Sequence, residues 1–231
     1  MLKRSELSKK YCNGLGLEIG AFHSPWPVEG QIIHHADSRT RDQLIEWAKT
    51  DAAVGEKMIP KIPEINYHTR AEELHSIPFG MYDFIVASHV LEHCFDVIGA
   101  LKCWLRSIKD GGFILIAVPS RAFCFDKDRP LTTMKNLVNR NVMDESGQDK
   151  IRSNIIRESL MMVDKLNDDD ALRSTVEHMV EHKEDIHFNV YDFASFQFQM
   201  KYMSNEITGL RYCLSECFQH GSELFAVLVK V

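Results

Sequence analysis

The sequence predicts an α/β fold: a doubly wound sheet of about seven strands, mostly parallel, with a C-terminal antiparallel hairpin and a helical insertion after the fifth strand. From Tyr82 to Ser120, two short apolar runs flank a segment with helical spacing of its apolar residues, which is typical of a strand–helix–strand unit in a parallel sheet. Near the C-terminus, apolar runs on both sides of His220-Gly221 are typical of a β-hairpin with a glycine turn.

The N-terminal part of the chain supplies three more strands. A lead-in helix within residues 1–14 precedes a strand, Leu15–Ile19, which carries Glu18 and ends at Gly20. The run QIIHHAD predicts a second strand that ends at Asp37, and EINYHT predicts a third. A strand that ends in glycine marks a place where the backbone turns tightly or approaches a ligand closely.

The stretch from Tyr82 to Ser120 supplies the fourth and fifth strands. Phe84-Ile85-Val86-Ala87 predicts a buried strand, which the polar pair Ser88-His89 ends. We expect the next helix to stop at Asp110-Gly111-Gly112 and the fifth strand to run from Phe113 to Val118. Because ligands of parallel sheets bind beyond the carboxyl ends of the strands, we expect a site beside Ser88-His89.

Residues from about 121 to 186 have little strand pattern and many aliphatic residues at helical spacing. They are too apolar for a flexible linker, so we interpret them as a helical lid or a dimer surface within one domain over residues 1–231. A short extended piece and a helix rich in phenylalanine then lead to the hairpin.

The composition excludes several classes of protein. The 231 residues are 45% hydrophobic and 26% charged, which is ordinary for a globular chain that needs no disulfides. A net charge of −6 argues against nucleic acid or an anionic membrane as a partner. The charged N-terminus and the lack of an apolar run of about 18 residues predict a cytoplasmic protein. The six cysteines form no CxxC pair, and we interpret them as buried, reduced thiols.

Several of these segments together resemble the class I S-adenosylmethionine-dependent methyltransferases, in particular the group called type 11. LEIG resembles the family's first motif, RAEEL its adenine loop, and YDFIVASHVLEH and IKDGGFILIAVPS its fourth and fifth strands. The resemblance implies a Rossmann-like fold with S-adenosylmethionine as the cofactor. It also implies the residues that bind the cofactor, which are Glu18, Gly20, Ala21, Phe22, Asp37, Ala71, Glu72, Ser88 and His89.

Asp37 is the predicted partner of the cofactor's ribose. It lies 17 residues after Gly20, close to the spacing of about 20 at which a carboxylate accepts hydrogen bonds from ribose hydroxyls. The alternative is that Asp37 caps the helix that begins near Thr40.

The glycine loop departs from the family's pattern. Phe22 and His23 stand where the family usually has further glycines, and Pro25 and Pro27 lengthen the loop. A second, looser resemblance connects this loop and the later segments DRPLTT and IHFNVYDFASF with polysaccharide-associated methyltransferase-like proteins.

His89, His93 and His187 are candidate bases, because unperturbed histidine titrates near neutral pH. Of these, His89 and His187 are the predicted catalytic residues. For His89 the alternative is a ring that packs against the cofactor without proton transfer, and for His187 it is a structural capping role.

His89, Glu92 and His93 also spell the metal-like motif H-x-x-E-H. A zinc protease needs both histidines on one helix face, whereas His89 falls at a strand end. Some methyltransferases carry Glu-x-x-Glu-His here and bind a divalent ion, but this chain has His89 in place of the first glutamate. We therefore predict no metal, and we interpret Glu92 as a carboxylate at a helix start. His178 and His182 are assigned to a solvated helix face.

The predicted function is O-methylation of a small-molecule or glycan-like acceptor with S-adenosylmethionine as the donor. The alternative from another class is a non-catalytic binding or assembly module with the methyltransferase fold, which the missing glycines motivate. The lone glycine after the first strand disfavours an NAD-dependent enzyme. We expect no nucleic-acid or membrane partner, and we expect any homo-oligomer to form through the helical insertion.

Overall fold

The computed structural model describes residues 2–50 and 54–231, which form a seven-stranded sheet flanked by helices. The strands are β1 (Leu15–Ile19), β2 (Ile32–Asp37), β3 (Tyr67–His68), β4 (Tyr82–Ser88), β5 (Ile108–Pro119), β6 (Tyr212–His220) and β7 (Glu223–Lys230). Their order is β3-β2-β1-β4-β5-β7-β6, in which β7 pairs antiparallel with both neighbours and the other pairs are parallel. This topology confirms the predicted Rossmann-like fold class with its C-terminal hairpin.

The α-helices lie before and between these strands. They are α1 (Leu2–Tyr11), α2 (Arg41–Thr50), α3 (Val97–Ser107), α4 (Met134–Val142), α5 (Glu145–Met162), α6 (Asp169–Glu181) and α7 (Phe193–Glu206). From α3 onward, a side-chain oxygen of the residue before each helix accepts a hydrogen bond from a backbone N–H of the first turn. Such caps explain why the helices α3 to α7 begin where they do.

Both faces of the sheet are buried, as a continuous apolar strand requires. Successive residues of β4 point to opposite faces: Phe84 packs in a cluster with Leu7 and Trp26, whereas Ile85 packs with Trp104 of α3. Because β4 lies in the middle of the sheet, its carboxyl end is a fixed position around which the neighbouring loops arrange.

The predicted boundaries of three elements are wrong. The helix stops at Ser107 rather than at Asp110, and β5 already begins at Ile108, which pairs with Tyr82 and is fully buried. A buried isoleucine satisfies the apolar pattern of a helix and of a strand alike, so its spacing misled the prediction. The third strand is also shorter than predicted and contains Tyr67 and His68 alone.

Three helices, α4 to α6, occupy the segment predicted to be helical between residues 121 and 186. A small apolar cluster of its own, around Ile156, Leu172 and Val176, joins α5 to α6. The fully buried Arg129 connects this segment to the rest of the fold, because its guanidinium donates to Asp126, to Glu158 and to a backbone oxygen near the start of the next extended piece.

Two further predictions concern solvent and membrane. Among the described residues, no helix is both long and apolar enough to cross a membrane. The cysteines are free thiols, but the prediction that all are buried is wrong, because Cys213 is exposed on β6. Cys213 lies on the edge strand of the sheet, which has a neighbouring strand on one side only.

Candidate functional site

A cavity of about 850 Å³ opens beyond the carboxyl ends of β1, β2 and β4, which is the size of a small-molecule site. Every predicted cofactor-binding residue except Glu18 lines this cavity. Its lining consists of residues 19–24, 37–39, 69–72, 88–90 and 182–185 together with Arg4, Leu44, Trp47, His93 and Cys94.

The loop after β1 forms one wall of this cavity. Gly20 has a φ of +66°, and a Cβ at this position would lie 2.8 Å from Val90, so no other residue fits without displacing its neighbour. Phe22, where the family has glycine, also adopts a left-handed backbone with φ of +41°. Its ring stacks on Trp47 with centroids 4.6 Å apart, and the guanidinium of Arg39 lies 4.5 Å from Trp47 on the tryptophan ring. The loop thus keeps the glycine's conformation and gains an aromatic wall.

Asp37 lies at the next strand end, where burial raises the pKa of its carboxyl above the ordinary value. Its Oδ1 accepts a hydrogen bond from the backbone N–H of Arg39 at 2.9 Å. The first turn of α2 is capped instead by Thr40 and Gln43, whose side chains accept from each other's backbone N–H. The alternative that Asp37 caps this helix is therefore wrong, and the carboxylate faces the cavity.

Glu18 departs from its predicted place. It is buried within β1, where its Oε1 accepts from the backbone N–H of Trp26 at 2.7 Å and its Oε2 lies 3.4 Å from His35 Nε2. The Glu18 side chain does not line the cavity, and it holds the long loop after β1 through its bond to Trp26. The sequence showed its position in the strand but not this bond to a residue eight positions later.

Ala71 and Glu72 line the far side of the cavity. Ala71 carbonyl oxygen accepts from Trp104 Nε1 at 2.8 Å, and Glu72 Oε1 accepts from the backbone N–H of Asp96 at 2.6 Å. Burial raises the pKa of Glu72. Both residues are held by α3 and its capping residue, which makes this wall rigid.

His89 follows β4 beside Ser88, with the left-handed φ of +55°, a strained backbone of the kind that clusters at functional sites. Its Nε2 lies 2.7 Å from Glu223 and its Nδ1 lies 3.2 Å from Glu92. Burial opposes protonation, but these two carboxylates prevail and raise the pKa of His89 to about 9. A ring that is protonated at neutral pH is not a general base, so this geometry favours the alternative of a cavity wall.

His187 lies on the extended piece before α7 and does not line the cavity itself. Its Nδ1 lies 2.6 Å from Asp126, and its ring contacts the rings of His93 and Phe125 with centroids 4.6 and 4.5 Å apart. Burial opposes ionisation of Asp126, but its bonds with His187 and Arg129 hold its pKa below the usual range. The aspartate fixes the tautomer and orientation of the imidazole.

The extended piece reaches the turn after β4 through Asn189. The backbone N–H of Asn189 donates to Glu92 carbonyl oxygen at 3.0 Å, and its side chain donates to Cys94 carbonyl oxygen at 2.6 Å. These bonds hold His187 beside Glu92 and His93. His93 and His187, which are 94 positions apart in sequence, are thereby brought together next to the cavity.

Several residues that line the cavity were not predicted from the sequence. Arg4 of α1 reaches the cavity through an ion pair with Glu223, and Trp47 and Arg39 belong to the wall described above. His182 to Asp185 arrive from the end of α6. No local sequence pattern marks Arg4 in its helix, or the loop after α6, as part of a cavity. The exposed Trp47 on an otherwise polar helix face was a usable signal for the wall that it forms.

The sequence matches the family model described as a methyltransferase domain over residues 13–195. No curated protein is significantly similar to the chain in sequence.

Two solved structures are similar to the whole fold. One is an S-adenosylmethionine-dependent methyltransferase of Thermotoga maritima, described as a possible histamine N-methyltransferase, with a TM-score of 0.50, 13% identity, and coverage of 100% of this chain and 88% of that chain. The other is a protein of Pyrococcus horikoshii OT3, with a TM-score of 0.52, 12% identity and coverage of 98% and 87%. At these identities the similarity concerns the fold.

Proposed function

Since this chain belongs to the methyltransferase domain family and is an S-adenosylmethionine-dependent methyltransferase, we propose that it methylates an oxygen atom of a small-molecule or saccharide acceptor. The family match confirms the resemblance to class I methyltransferases. It also supports an enzyme over the non-catalytic module, which was the alternative.

The observation that supports the proposed cofactor site is the meeting of Gly20, Asp37 and Ser88 in one cavity beyond three neighbouring strands. In the proposal Asp37 accepts hydrogen bonds from the ribose hydroxyls, and the Gly20–Phe22 loop contacts the methionine part. Ala71 and Glu72 contact the adenine. Glu18 has no part in the proposal, because its carboxylate is engaged behind the loop.

The proposed acceptor side is the part of the cavity at His93, a lining residue whose ring contacts that of His187. In the reaction, a lone pair of the acceptor oxygen attacks the methyl carbon in line with the carbon–sulfur bond, which breaks to leave S-adenosylhomocysteine. The hydroxyl proton must go to a base, and we assign it to Nε2 of His187. The contact of Nδ1 with Asp126 supports this assignment, since it leaves Nε2 as the nitrogen that can accept.

The saccharide class is supported by exposed aromatic rings next to His187. Phe125 contacts the histidine ring and is 56% exposed, and Phe123 nearby is 62% exposed. Flat apolar faces at the edge of a polar site suit the apolar face of a sugar ring. We propose that residues 121–186 form a lid within a single domain, which agrees with the contribution of His182 to Asp185 to the cavity.

Calorimetry with S-adenosylmethionine and S-adenosylhomocysteine tests the cofactor site, and absence of binding at millimolar concentration would refute it. Formation of S-adenosylhomocysteine is then measured with matched acceptors, for example a sugar and the corresponding amino sugar lacking the target hydroxyl. Turnover that requires the hydroxyl supports O-methylation. Turnover that requires the amine instead would refute it.

A further inference from the structure

Glu92 is a fully buried carboxylate without a hydrogen-bond partner. It has no measurable solvent exposure, and neither of its oxygens has a hydrogen-bond partner among residues 2–50 and 54–231. The ring of His89 lies 3.2 Å from Oε1, but His89 also pairs with Glu223. Oε2 is left without a hydrogen-bond partner in the described part of the chain, and a buried carboxylate oxygen in this condition is costly unless another group binds it.

His93 and His187 stand next to this carboxylate in the same arrangement. The Nδ1 of His93 lies 2.9 Å from Asp185, and the Nδ1 of His187 lies 2.6 Å from Asp126. An aspartate on Nδ1 orients a histidine so that its Nε2 is left to coordinate, which is the usual outer shell of a histidine that binds a metal. Two independent aspartates, from two different segments, prepare two rings in this way.

We infer that Glu92, His93 and His187 bind a first-row divalent cation such as Zn²⁺ or Mn²⁺. One ligand atom from each residue lies within 4.8 Å of the others. Two imidazoles and one carboxylate form the ligand set of catalytic zinc sites, in which a fourth position stays open. This donor set favours a transition metal over Mg²⁺ or Ca²⁺, which prefer oxygen ligands.

A cation at this position differs from the prediction of no metal. Its role in catalysis rests on the proposed function, which it deepens. His93 lines the cavity, so a cation held there would lie beside the acceptor side. A bound cation would lower the pKa of an acceptor hydroxyl directly. Nε2 of His187 would then serve as a ligand in place of the base assigned above, and the hydroxyl proton would pass to water. His89, which contacts Glu92, would then be a positioning residue for the carboxylate.

Calorimetry of the full, metal-stripped chain with ZnCl₂ and with MnCl₂, at neutral pH and without cofactor, tests the site. We expect saturable binding that raises the melting temperature. Glu92→Gln and His93→Ala should each weaken it at least about 100-fold, since each removes a ligand, and Asp185→Asn should weaken it about 10–100-fold. MgCl₂ should bind far more weakly.

The fold of Glu92→Gln is checked by its melting temperature without metal, which should stay close to that of the wild type because glutamine keeps the shape of the side chain and His89 keeps its pair with Glu223. His178→Asn is the matched control, because His178 stacks on His182 at the surface and such a pair also binds metals. Binding that survives Glu92→Gln but not His178→Asn would overturn the inference, as would no binding at millimolar metal. Binding of S-adenosylmethionine is measured on the same sample, so loss of one site is not mistaken for loss of the other.

Discussion

The proposed cofactor end and the proposed acceptor end of the cavity are built in different ways. At the cofactor end, the backbone turn at Gly20 and one carboxylate, Asp37, follow directly from adjacent strands. At the acceptor end, each histidine depends on a carboxylate from a distant segment: Glu223 for His89, Asp185 for His93 and Asp126 for His187. The proposal therefore separates recognition of the donor from handling of the acceptor, and mutations at the two ends should affect different steps.

Among the proposed substitutions, His187→Ala should give the largest difference between its effect on turnover and its effect on cofactor binding. Loss of a general base or of a metal ligand should lower kcat about 10²–10⁴-fold, whereas the Kd for S-adenosylmethionine should stay within about 2-fold, since the ring does not line the cavity. Turnover and calorimetry on the same preparation check this. A parallel loss of cofactor affinity would show that the two ends are not separable.

Arg129→Met should destabilise the acceptor end and the fold together. It leaves buried Asp126 without its cation, at a cost of about 3–5 kcal/mol in the free energy of unfolding. Urea denaturation measures this free energy. Arg173→Met is the control, because its pair with Asp170 is exposed and should contribute less than about 1 kcal/mol. Equal effects of the two substitutions would contradict the role given to Arg129.

Asp37→Asn should act at the cofactor end alone and weaken S-adenosylmethionine binding about 10–100-fold, because the amide cannot accept from both ribose hydroxyls. Wild-type affinity should be complete well above the raised pKa of Asp37 and should fall as the pH drops through that value, since the ionised carboxylate is the acceptor. Calorimetry across this pH range provides the check. The variant should lack this pH dependence, and an identical dependence would reject the ribose assignment.

The smallest effect concerns the backbone of the glycine loop. Phe22→Gly and Phe22→Ala both remove the stack on Trp47, but only glycine relieves the left-handed φ. Since a left-handed residue costs about 1–2 kcal/mol unless it is glycine, Phe22→Gly should be the more stable variant by about 1 kcal/mol. Thermal unfolding compares them, and a more stable alanine variant would mean that the strain is absent.

The same contrast explains what the sequence was able to predict. The strands and their ends follow from local apolar runs, so Gly20, Asp37 and Ser88 were expected at one edge and do meet there. The partner of His89 is 134 residues away, and no periodicity connects the two. Glu18 shows the limit within a strand, because its bond to the Trp26 backbone depends on how the long loop folds back.

Glu223 joins the first and last parts of the chain, because it pairs with Arg4 from α1 and with His89 after β4. During synthesis, β1 to β5 emerge long before β7, so His89 obtains this partner only after β7 has left the ribosome. The cavity is therefore completed last. Tags or truncations at the N-terminal helix, although remote in sequence from the histidines, should alter the order in which the site matures.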